Sequence, residues 1–467
     1  MYTKKEHIHF VGIGGIGMSG IATILRHQGY TISGCDQDIT QETVIKLKAL
    51  GCSIYNGNNN IACNDESINI LVYIPMYATT IPAVMAEIFR AKQRNIITIS
   101  RAQMLAELMR SKYGIAVTGS HGKTTTTSLI SHILIEADMD PTVVIGGLLK
   151  NISSNIRVGN GNFLVAEADE SDRSFLELHP AIAIITNIDL EHLETYTDLN
   201  DIKQSFKQFL SNLLFYGKAI ICTDDENIRS LLPLDSIKTI SYGIDYPADV
   251  SACNIVLEAN HSLFTLKAKL MPEQSPIITV PIPGKHNIYN ALGAIALAQE
   301  LHIPIHIIQR SISSFCGVER RFTLRGTYKG AEIFDDYGHH PKEIENMLIV
   351  ARKRAKNRLT VVFQPHRYSR TQKLWSQFLT TFATSTIDTL IITDIYSAEE
   401  QPIHTITSER LAQELQSLNP PFIVKYVPFF NDFYQIKQSI TSSINENDLI
   451  LVLGAGNIYQ ITKELVQ

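Results

Sequence analysis

The sequence predicts an α/β protein of three domains, each built on a mostly parallel sheet. Three observations carry this expectation. Short apolar runs alternate with helix-like stretches along most of the chain, the pattern of repeated βαβ units. Glycine-rich turns follow apolar runs at Gly12–Gly17, Gly119–Gly122 and Gly454–Gly456, where a doubly wound fold passes from strand to helix. The 467 residues suffice for roughly three domains of ordinary size.

The first domain is expected over residues 1–100. Ile8–Val11 reads as a strand, Gly12–Gly17 as a turn, and the stretch to His27 as a helix. Gly29 ends that helix and Tyr30–Ser33 reads as the next strand, parallel to the first. Asn58–Asn60 reads as a loop. The second domain is expected over 101–315. Its strand Ile115–Val117 runs into Gly119–Thr127 and a helix, and Phe163–Ala166 and Ala181–Ile185 read as buried strands. Residues 237–282 have a different texture, with short β-like runs and polar turns, and predict a small β appendage. Pro283-Gly284 opens a helix that carries Asn287 and ends near Leu301. The third domain, 316–467, has strands at Ile333-Phe334, Leu359–Phe363, Leu390–Thr393 and Leu449–Leu453, and reads as a further doubly wound unit.

Composition excludes several classes. With 45% hydrophobic and 19% charged residues the chain is an ordinary soluble globular protein. A net charge of −5 argues against nucleic acid or an anionic membrane as partner. There is no apolar run long enough to span a bilayer and no signal-peptide pattern, so a cytoplasmic location is expected. The cysteines are Cys35, Cys52, Cys63, Cys222, Cys253 and Cys316. None forms a C-x-x-C pair or a zinc spacing with histidine, so they read as packing residues in a reducing compartment.

The chemistry concentrates at strand ends. Gly119, Ser120, His121, Gly122, Lys123, Thr124 and Thr125 form a Gly-x-x-Gly-Lys-Thr loop between a strand and a helix. Backbone N–H groups and the helix start can hold phosphate oxygens, Lys123 can reach the terminal phosphates, and the Thr124 hydroxyl can ligate Mg²⁺. The general form wants a glycine where Val117 stands. Glu167 and His192 follow the next two strands, so Lys123, Glu167 and His192 are expected in one crevice, with Glu167 on Mg²⁺. Gly12–Gly17 matches G-x-G-x-x-G, and Asp36 beyond it can hold a ribose hydroxyl. That turn suits NAD or another nucleotide diphosphate. In the third block, Tyr337, His339, His366, Arg367 and Arg370 follow strands. The arginines there can clamp a carboxylate or phosphate.

Together these motifs resemble the Mur ligases of peptidoglycan synthesis. The resemblance covers nearly the whole chain. It rests on His9–Gly20, Arg101–Leu108, Thr118–Thr127, Ala166–Asp172, Thr186–Ile188 with His192, Gly284–Ala291, Arg320–Phe322, Asp335–Pro341 and Phe363–Thr371. It implies an ATP-dependent carboxylate–amine ligase with Mg²⁺. In the branch it most resembles, the substrates are UDP-N-acetylmuramate and L-alanine, joined through an acyl phosphate. Gly12, Gly14, Gly15, Gly17, Met18, Ser19 and Asp36 would then serve the UDP-sugar. Lys123, Thr124, Glu167 and His192 would serve ATP and metal, with Lys123, Glu167 and His192 catalytic. Asn287, Asn290, Arg321 and Asp336 would contact the nucleotide, and Tyr337, His339, His366, Arg367 and Arg370 the amino acid. A monomer or weak homodimer is expected. Ser120 stands where the family has Thr, Glu191 where it has Asp, and Tyr73–Thr80 departs from the family's Ser-Ser-Ala-Ile type loop. The rival readings are a murein peptide recycling ligase, a nicotinamide dehydrogenase built on Gly12–Gly17, and a non-catalytic nucleotide sensor.

Overall fold

A computed structural model describes residues 6–57, 65–150, 154–192, 195–234, 237–271, 273, 275–398, 400–430 and 432–466. Cys63 and the expected Asn58–Asn60 loop lie outside them. The chain divides into two compact units, Met1–Cys253 with Thr265–Ile278 and Tyr289–Cys316, and Gly317–Gln467 with Asn254–Phe264 and Thr279–Ile288. Three sheets carry the fold.

The first sheet holds β1 (His7–Val11), β2 (Thr31–Asp36), β3 (Ser53–Asn56), β4 (Ile68–Tyr73) and β5 (Ile97–Ser100) in the order β3-β2-β1-β4-β5. All neighbours are parallel. The chain therefore reverses its winding between β1 and β4, and the β1 turn opens at that switch point. The helix after it, Ile16–His27, ends at Gln28, and Gly29 follows with φ +86°, a conformation that suits glycine. Helix Arg101–Arg110 then starts on a capping box between Ser100 and Gln103.

The second sheet has β6 (Tyr113–Thr118), β7 (Thr142–Leu149), β8 (Ser154–Arg157), β9 (Phe163–Glu167), β10 (Ile182–Ile185), β11 (Lys218–Cys222), β12 (Lys238–Gly243), β13 (Val250–Leu257), β14 (Ser262–Ala268) and β15 (Ile277–Val280). Their order is β15-β14-β13-β12-β11-β10-β6-β9-β7-β8. From β12 to β7 the strands are parallel, and β8 folds back antiparallel. The region 237–282, expected as a small β appendage of this domain, forms the strands at one end of the same sheet. The β7–β8 hairpin also meets the first domain: Asn155 donates to Ile16 O at 3.1 Å, and Ile156 sits where a side chain on Gly20 would be.

The third sheet comprises β16 (Thr323–Tyr328), β17 (Ala331–Asp336), β18 (Leu359–Phe363), β19 (Thr389–Ile392), β20 (Ile423–Tyr426) and β21 (Leu449–Leu453), ordered β16-β17-β21-β18-β19-β20. Only the β16–β17 hairpin is antiparallel. Leu359–Phe363 and Leu449–Leu453 are found with the expected bounds, whereas β6 and β17 extend past the expected Ile115–Val117 and Ile333-Phe334 at both ends because ladder bonds run beyond the apolar core of the strand. The Tyr73–Thr80 segment, expected as a loop, forms a short helix over Pro75–Thr80 with Pro75 at its start. No helix among the described residues is long and apolar enough to cross a membrane.

Phe363 is fully buried on β18, with its ring 5.6 Å from Phe378 and 5.1 Å from Phe382. Phe363→Ala should cost about 3–5 kcal/mol of the second unit's stability, since the rings cannot fully close the cavity. Urea unfolding followed by hydrogen exchange at β18 and β21 measures it. Unchanged protection there would count against this packing as the unit's core.

Candidate active site

Thr118 ends β6, and the chain turns sharply. Gly119 has φ +129°, and a Cβ there would strike the Thr186 hydroxyl and approach Asn187 O at 2.8 Å. Gly122 has φ +81° and caps helix Lys123–Glu136. Between them the loop is tied to the end of β10. His121 N donates to Asn187 Oδ1 at 2.8 Å, Ser120 N to Asn187 O at 3.1 Å, and Thr186 Oγ1 and Asn187 Nδ2 donate to His121 O at 2.6 and 2.9 Å. Asp189 N donates to Ser120 Oγ at 2.8 Å. A taut loop of this kind leaves first-turn N–H groups facing outward at the positive end of a helix, where phosphate binds. Thr125 is buried in that first turn.

The Lys123 ammonium donates to Gly119 O at 2.6 Å, Ser120 O at 3.3 Å and Glu170 Oε1 at 2.8 Å. Burial alone would lower its pKa, but Glu170, Asp169 and Glu167 outweigh burial and hold it above the usual lysine value. Asp169 answers in kind: burial opposes its charge, and Lys123 keeps its carboxyl below the ordinary range. Glu167, at the end of β9, accepts from Thr124 Oγ1 at 2.9 and 3.1 Å and from Gly146 N at 2.8 Å. Burial nevertheless pushes its pKa up.

The structure thus brings Lys123, Thr124 and Glu167 together. It sets His192 against other carboxylates: Nε2 lies 3.4 Å from Glu170 Oε1 and 3.5 Å from Glu191 Oε2. Glu170, Glu191 and His192 lie close enough to share one cation. His121 Nε2 adds an ion pair with Asp189 at 3.5 Å. Sequence reasoning gave no role to Glu170. Its signal was the run Glu167–Glu170, whose turn after β9 brings the second glutamate back to the lysine. His192 holds φ +54°, a left-handed conformation unusual for a histidine and fixed by its surroundings.

In the first domain, Gly12 has φ +76°, and Gly12 N and Ile13 N donate to Cys35 O at 2.9 and 3.0 Å. Gly14 N donates to Asp36 Oδ2 at 2.7 Å, and Thr43 Oγ1 to Gly14 O at 2.7 Å. Asp36 was expected to meet a ribose. Here its carboxylate braces the turn. A Cβ on Gly14 would lie 2.8 Å from Asp36 Oδ2 and 2.9 Å from both Gln41 Oε1 and Val44 Cγ2, so a side chain there would force these neighbours to shift. Gly15 caps the helix, and the Arg101 guanidinium lies over Gly17. Met18 is fully buried, and the Ser19 hydroxyl donates to Ile16 O at 3.1 Å. These two side chains are therefore occupied inside the helix.

In the second unit, Asp336 ends β17 and accepts from Gly338 N and Phe322 N, both at 2.7 Å. Burial raises its carboxyl to about 6, with Arg321 opposing. Arg321 also lies over the Tyr337 ring at 5.4 Å and pairs with Glu343 at 3.9 Å. The Tyr337 and His339 rings meet edge-on at 5.5 Å, and His339 lies 5.9 Å from His366. His366 accepts from Arg370 Nη1 at 3.1 Å through Nδ1. Arg367 holds φ +69°, donates its N–H to Tyr396 O at 2.8 Å and approaches Glu400 at 3.9 Å. The expected amino-acid residues are therefore one cluster. Asn287 donates to Pro283 O at 2.8 Å, whereas Asn290, in the first unit, accepts from Thr126 Oγ1 at 3.2 Å close to Gly122. Arg320, given no role from sequence, stacks its guanidinium on Tyr337 at 4.8 Å and Tyr459 at 4.3 Å.

Comparison with known proteins agrees with this architecture. Three family models match in succession: "Mur ligase family, catalytic domain" over 7–113, "Mur ligase middle domain" over 117–298 and "Mur ligase, glutamate ligase domain" over 320–456. The chain is 44% identical over 469 residues to a UDP-N-acetylmuramate–L-alanine ligase of Desulfotalea psychrophila, covering 100% of this chain and 99% of the relative. It is also 44% identical to the protein of that name in Trichlorobacter lovleyi, with 100% of both covered. Among solved structures, the UDP-N-acetylmuramate-alanine ligase of Thermotoga maritima superposes with TM-score 0.79 at 26% identity, covering 98% of each chain. A murein peptide ligase of Psychrobacter arcticus shares the fold, with TM-score 0.71 at 24% identity and 98% of each chain covered.

Burial, then Arg370, Arg367 and Arg320, push His366 down to about 3 from 6.5. A depressed imidazole contributes fully to stability above the unfolded value and loses that contribution as pH falls from 6.5 toward 3. ¹⁵N NMR should find His366 neutral, with its proton on Nε2, from about pH 5 to 8. Arg370→Met should raise its pKa. Protonation near the ordinary histidine value in the wild type would contradict the cluster's geometry.

Proposed function

The chain belongs to the Mur ligase family, and we propose that within it the protein joins L-alanine to the lactyl carboxylate of UDP-N-acetylmuramate, with ATP cleaved to ADP and phosphate. It is an ATP-dependent ligase with the three-domain Mur fold. The choice of L-alanine and UDP-N-acetylmuramate is supported by the full-length likeness to proteins of that name. The observation that carries the chemistry is the Lys123 ammonium, buried at a loop–helix junction among strand-end carboxylates. Family membership sets the dehydrogenase reading aside.

We assign residues 1–100 to the sugar nucleotide, 101–315 to ATP and 316–467 to the amino acid. A carboxylate resists an amine because its carbon is weakly electrophilic and its oxygen a poor leaving group. Phosphorylation of the lactyl carboxylate by ATP gives an acyl phosphate, and attack by the alanine nitrogen expels phosphate. Residues of the chain position and neutralise. Backbone N–H groups in the first turn of helix Lys123–Glu136 cradle the phosphates. Lys123 exchanges its contact with Glu170 for phosphate oxygens and offsets their charge. Asn287, Asn290, Arg321 and Asp336 serve the nucleotide in this reading.

The residues also fit a divalent cation. Thr124 and Glu167 offer oxygen donors, and Glu170 Oε2 is buried without a hydrogen-bond partner near His192. Mg²⁺ held by Thr124, Glu167 and His192 would neutralise phosphate charge. In the second unit, Arg367 or Arg370 can take the alanine carboxylate in a fork. The neutral rings of His339 and His366 supply polar edges beside it, and Tyr337 limits side-chain size. Gly12–Gly17 holds the UDP diphosphate.

ADP release by the full-length protein should require both UDP-N-acetylmuramate and an amino acid. L-Alanine should give the highest kcat/KM, with glycine and L-serine weaker by the roughly 1–3 kcal/mol that a methylene or hydroxyl commands. A preference for D-glutamate or a peptide would move the protein to another branch. Lys123→Ala should lower kcat at least about a hundredfold with circular dichroism unchanged. A smaller loss would remove Lys123 from the reaction.

A further inference from the structure

A second polar cluster lies away from these sites, in the core of the first domain. His9 on β1 and Cys35 on β2 point to the same face of the sheet, because Val11 pairs with Cys35 and His9 with Ser33 in register. Helix Pro82–Gln93 covers that face. Its buried positions are Val84, Glu87, Ile88 and Ala91, an apolar stripe with one carboxylate in it. Glu87 is 2% exposed, and His9 and Cys35 are fully buried. A charge at a core position of a helix is costly unless a cation meets it.

The three side chains converge. Cys35 Sγ lies 3.5 and 3.7 Å from the two Glu87 oxygens, and His9 Nε2 lies 3.4 Å from Glu87 Oε1. The three donor atoms lie within 4.8 Å of one another. His9 Nε2 has no hydrogen-bond partner, although it is buried. Its other nitrogen is fixed: Nδ1 meets Ser33 Oγ at 2.8 Å, and the same hydroxyl meets His7 Nε2 at 2.7 Å. That is the arrangement in which an outer hydroxyl orients a metal-binding imidazole. Around tetrahedral Zn²⁺, with bonds of about 2.0–2.3 Å, neighbouring N, O and S donors stand about 3.3–3.6 Å apart. Measured from the single oxygen Oε1, Nε2 lies at 3.4 Å and Sγ at 3.7 Å, close to two edges of that tetrahedron.

We propose that His9 Nε2, Cys35 Sγ and a Glu87 oxygen form a buried structural site for a thiophilic divalent cation such as Zn²⁺, clamping β1, β2 and the covering helix beneath the Gly12–Gly17 turn. Binding replaces the Cys35 thiol proton with the metal–sulfur bond and releases that proton to solvent. No oxidant or reductant is needed. The site is joined to the turn through Cys35, whose carbonyl receives Gly12 N and Ile13 N. It is chemically distinct from the oxygen-rich strand ends around Lys123.

The test uses the full-length protein stripped with chelator and titrated with Co²⁺, then Zn²⁺. About one Co²⁺ per chain should bind, with a thiolate-to-cobalt band in the near ultraviolet and tetrahedral visible bands, both bleached by Zn²⁺. Zn²⁺ should raise Tm in the wild type. Cys35→Ala should lose the band and the zinc-dependent rise in Tm, while Cys316→Ala, at an exposed cysteine, should keep both. Should Cys35→Ala fail to fold, the wild-type cobalt spectrum and Glu87→Gln decide. A wild type without the thiolate band, a band lost in Cys316→Ala, or zinc stabilisation that survives in Cys35→Ala would each overturn the site and leave His9, Cys35 and Glu87 as a closed polar triad.

Discussion

The ammonium of Lys123 sits where water is largely excluded, and the groups that keep it charged shape the edge of the second sheet. A buried lysine left alone would lose its proton. Here Glu170 lies 2.8 Å away, with Asp169 and Glu167 adding their fields. Those carboxylates can be there because β9 runs parallel to β6 and ends beside it, Val117 facing Glu167 in register. The next strand, β10, flanks β6 on its other side and brings Thr186 and Asn187 to hold the loop. One charge requirement therefore fixes the ends of three strands.

Parallel sheets explain why each domain presents chemistry at one edge. Every strand of such a sheet ends on the same side, so loops after β1, β6 and β18 need only a few residues each to build a site. The β1 edge is a turn closed by Asp36, the β6 edge a glycine-capped loop at a helix start, and the β18 edge an array of arginine, histidine and tyrosine. Two residues at these edges, His192 and Arg367, carry positive φ. Their conformations cost energy that the surrounding hydrogen bonds offset, and the result is a side chain aimed where a relaxed backbone would not send it.

The sequence disclosed the sheets well because buried parallel strands are nearly continuous apolar runs, and Leu359–Phe363 and Leu449–Leu453 appear with the expected bounds. It disclosed the Lys123 loop because glycine, lysine and threonine at that spacing have few other uses. What it hid was partnership. Asp36 reads as a ribose ligand from its distance along the chain, and only the fold shows that one of its oxygens also accepts from Gly14 N. His192 reads as sharing a crevice with Lys123 and Glu167, and the fold sets two further carboxylates, Glu170 and Glu191, 3.4 and 3.5 Å from its Nε2. Residues 237–282 read as an appendage because their runs are short and polar, whereas edge strands of a large sheet look the same. The Pro75–Thr80 helix is invisible in the sequence because six residues are too few for a period to show.

Buried carboxylates separate the two polar clusters by task. Glu170 and Glu87 are each 2% exposed, and each has an imidazole 3.4 Å away. Around Glu170 the neighbours are a lysine, a second carboxylate and partly exposed loops, so ligands can enter and charge can be exchanged. Around Glu87 the neighbours are a thiol, an imidazole and apolar side chains of a helix and two strands, so a ligand reaches it only through local opening of the domain. Softness of the donors follows the same division. Oxygen donors suit a hard divalent cation, while sulfur and nitrogen in a sealed core suit a softer one. Spacing along the chain could not reveal the second cluster, since its three ligands come from β1, β2 and a helix fifty residues later. Only the register of two strands and the face of one helix put them in one place.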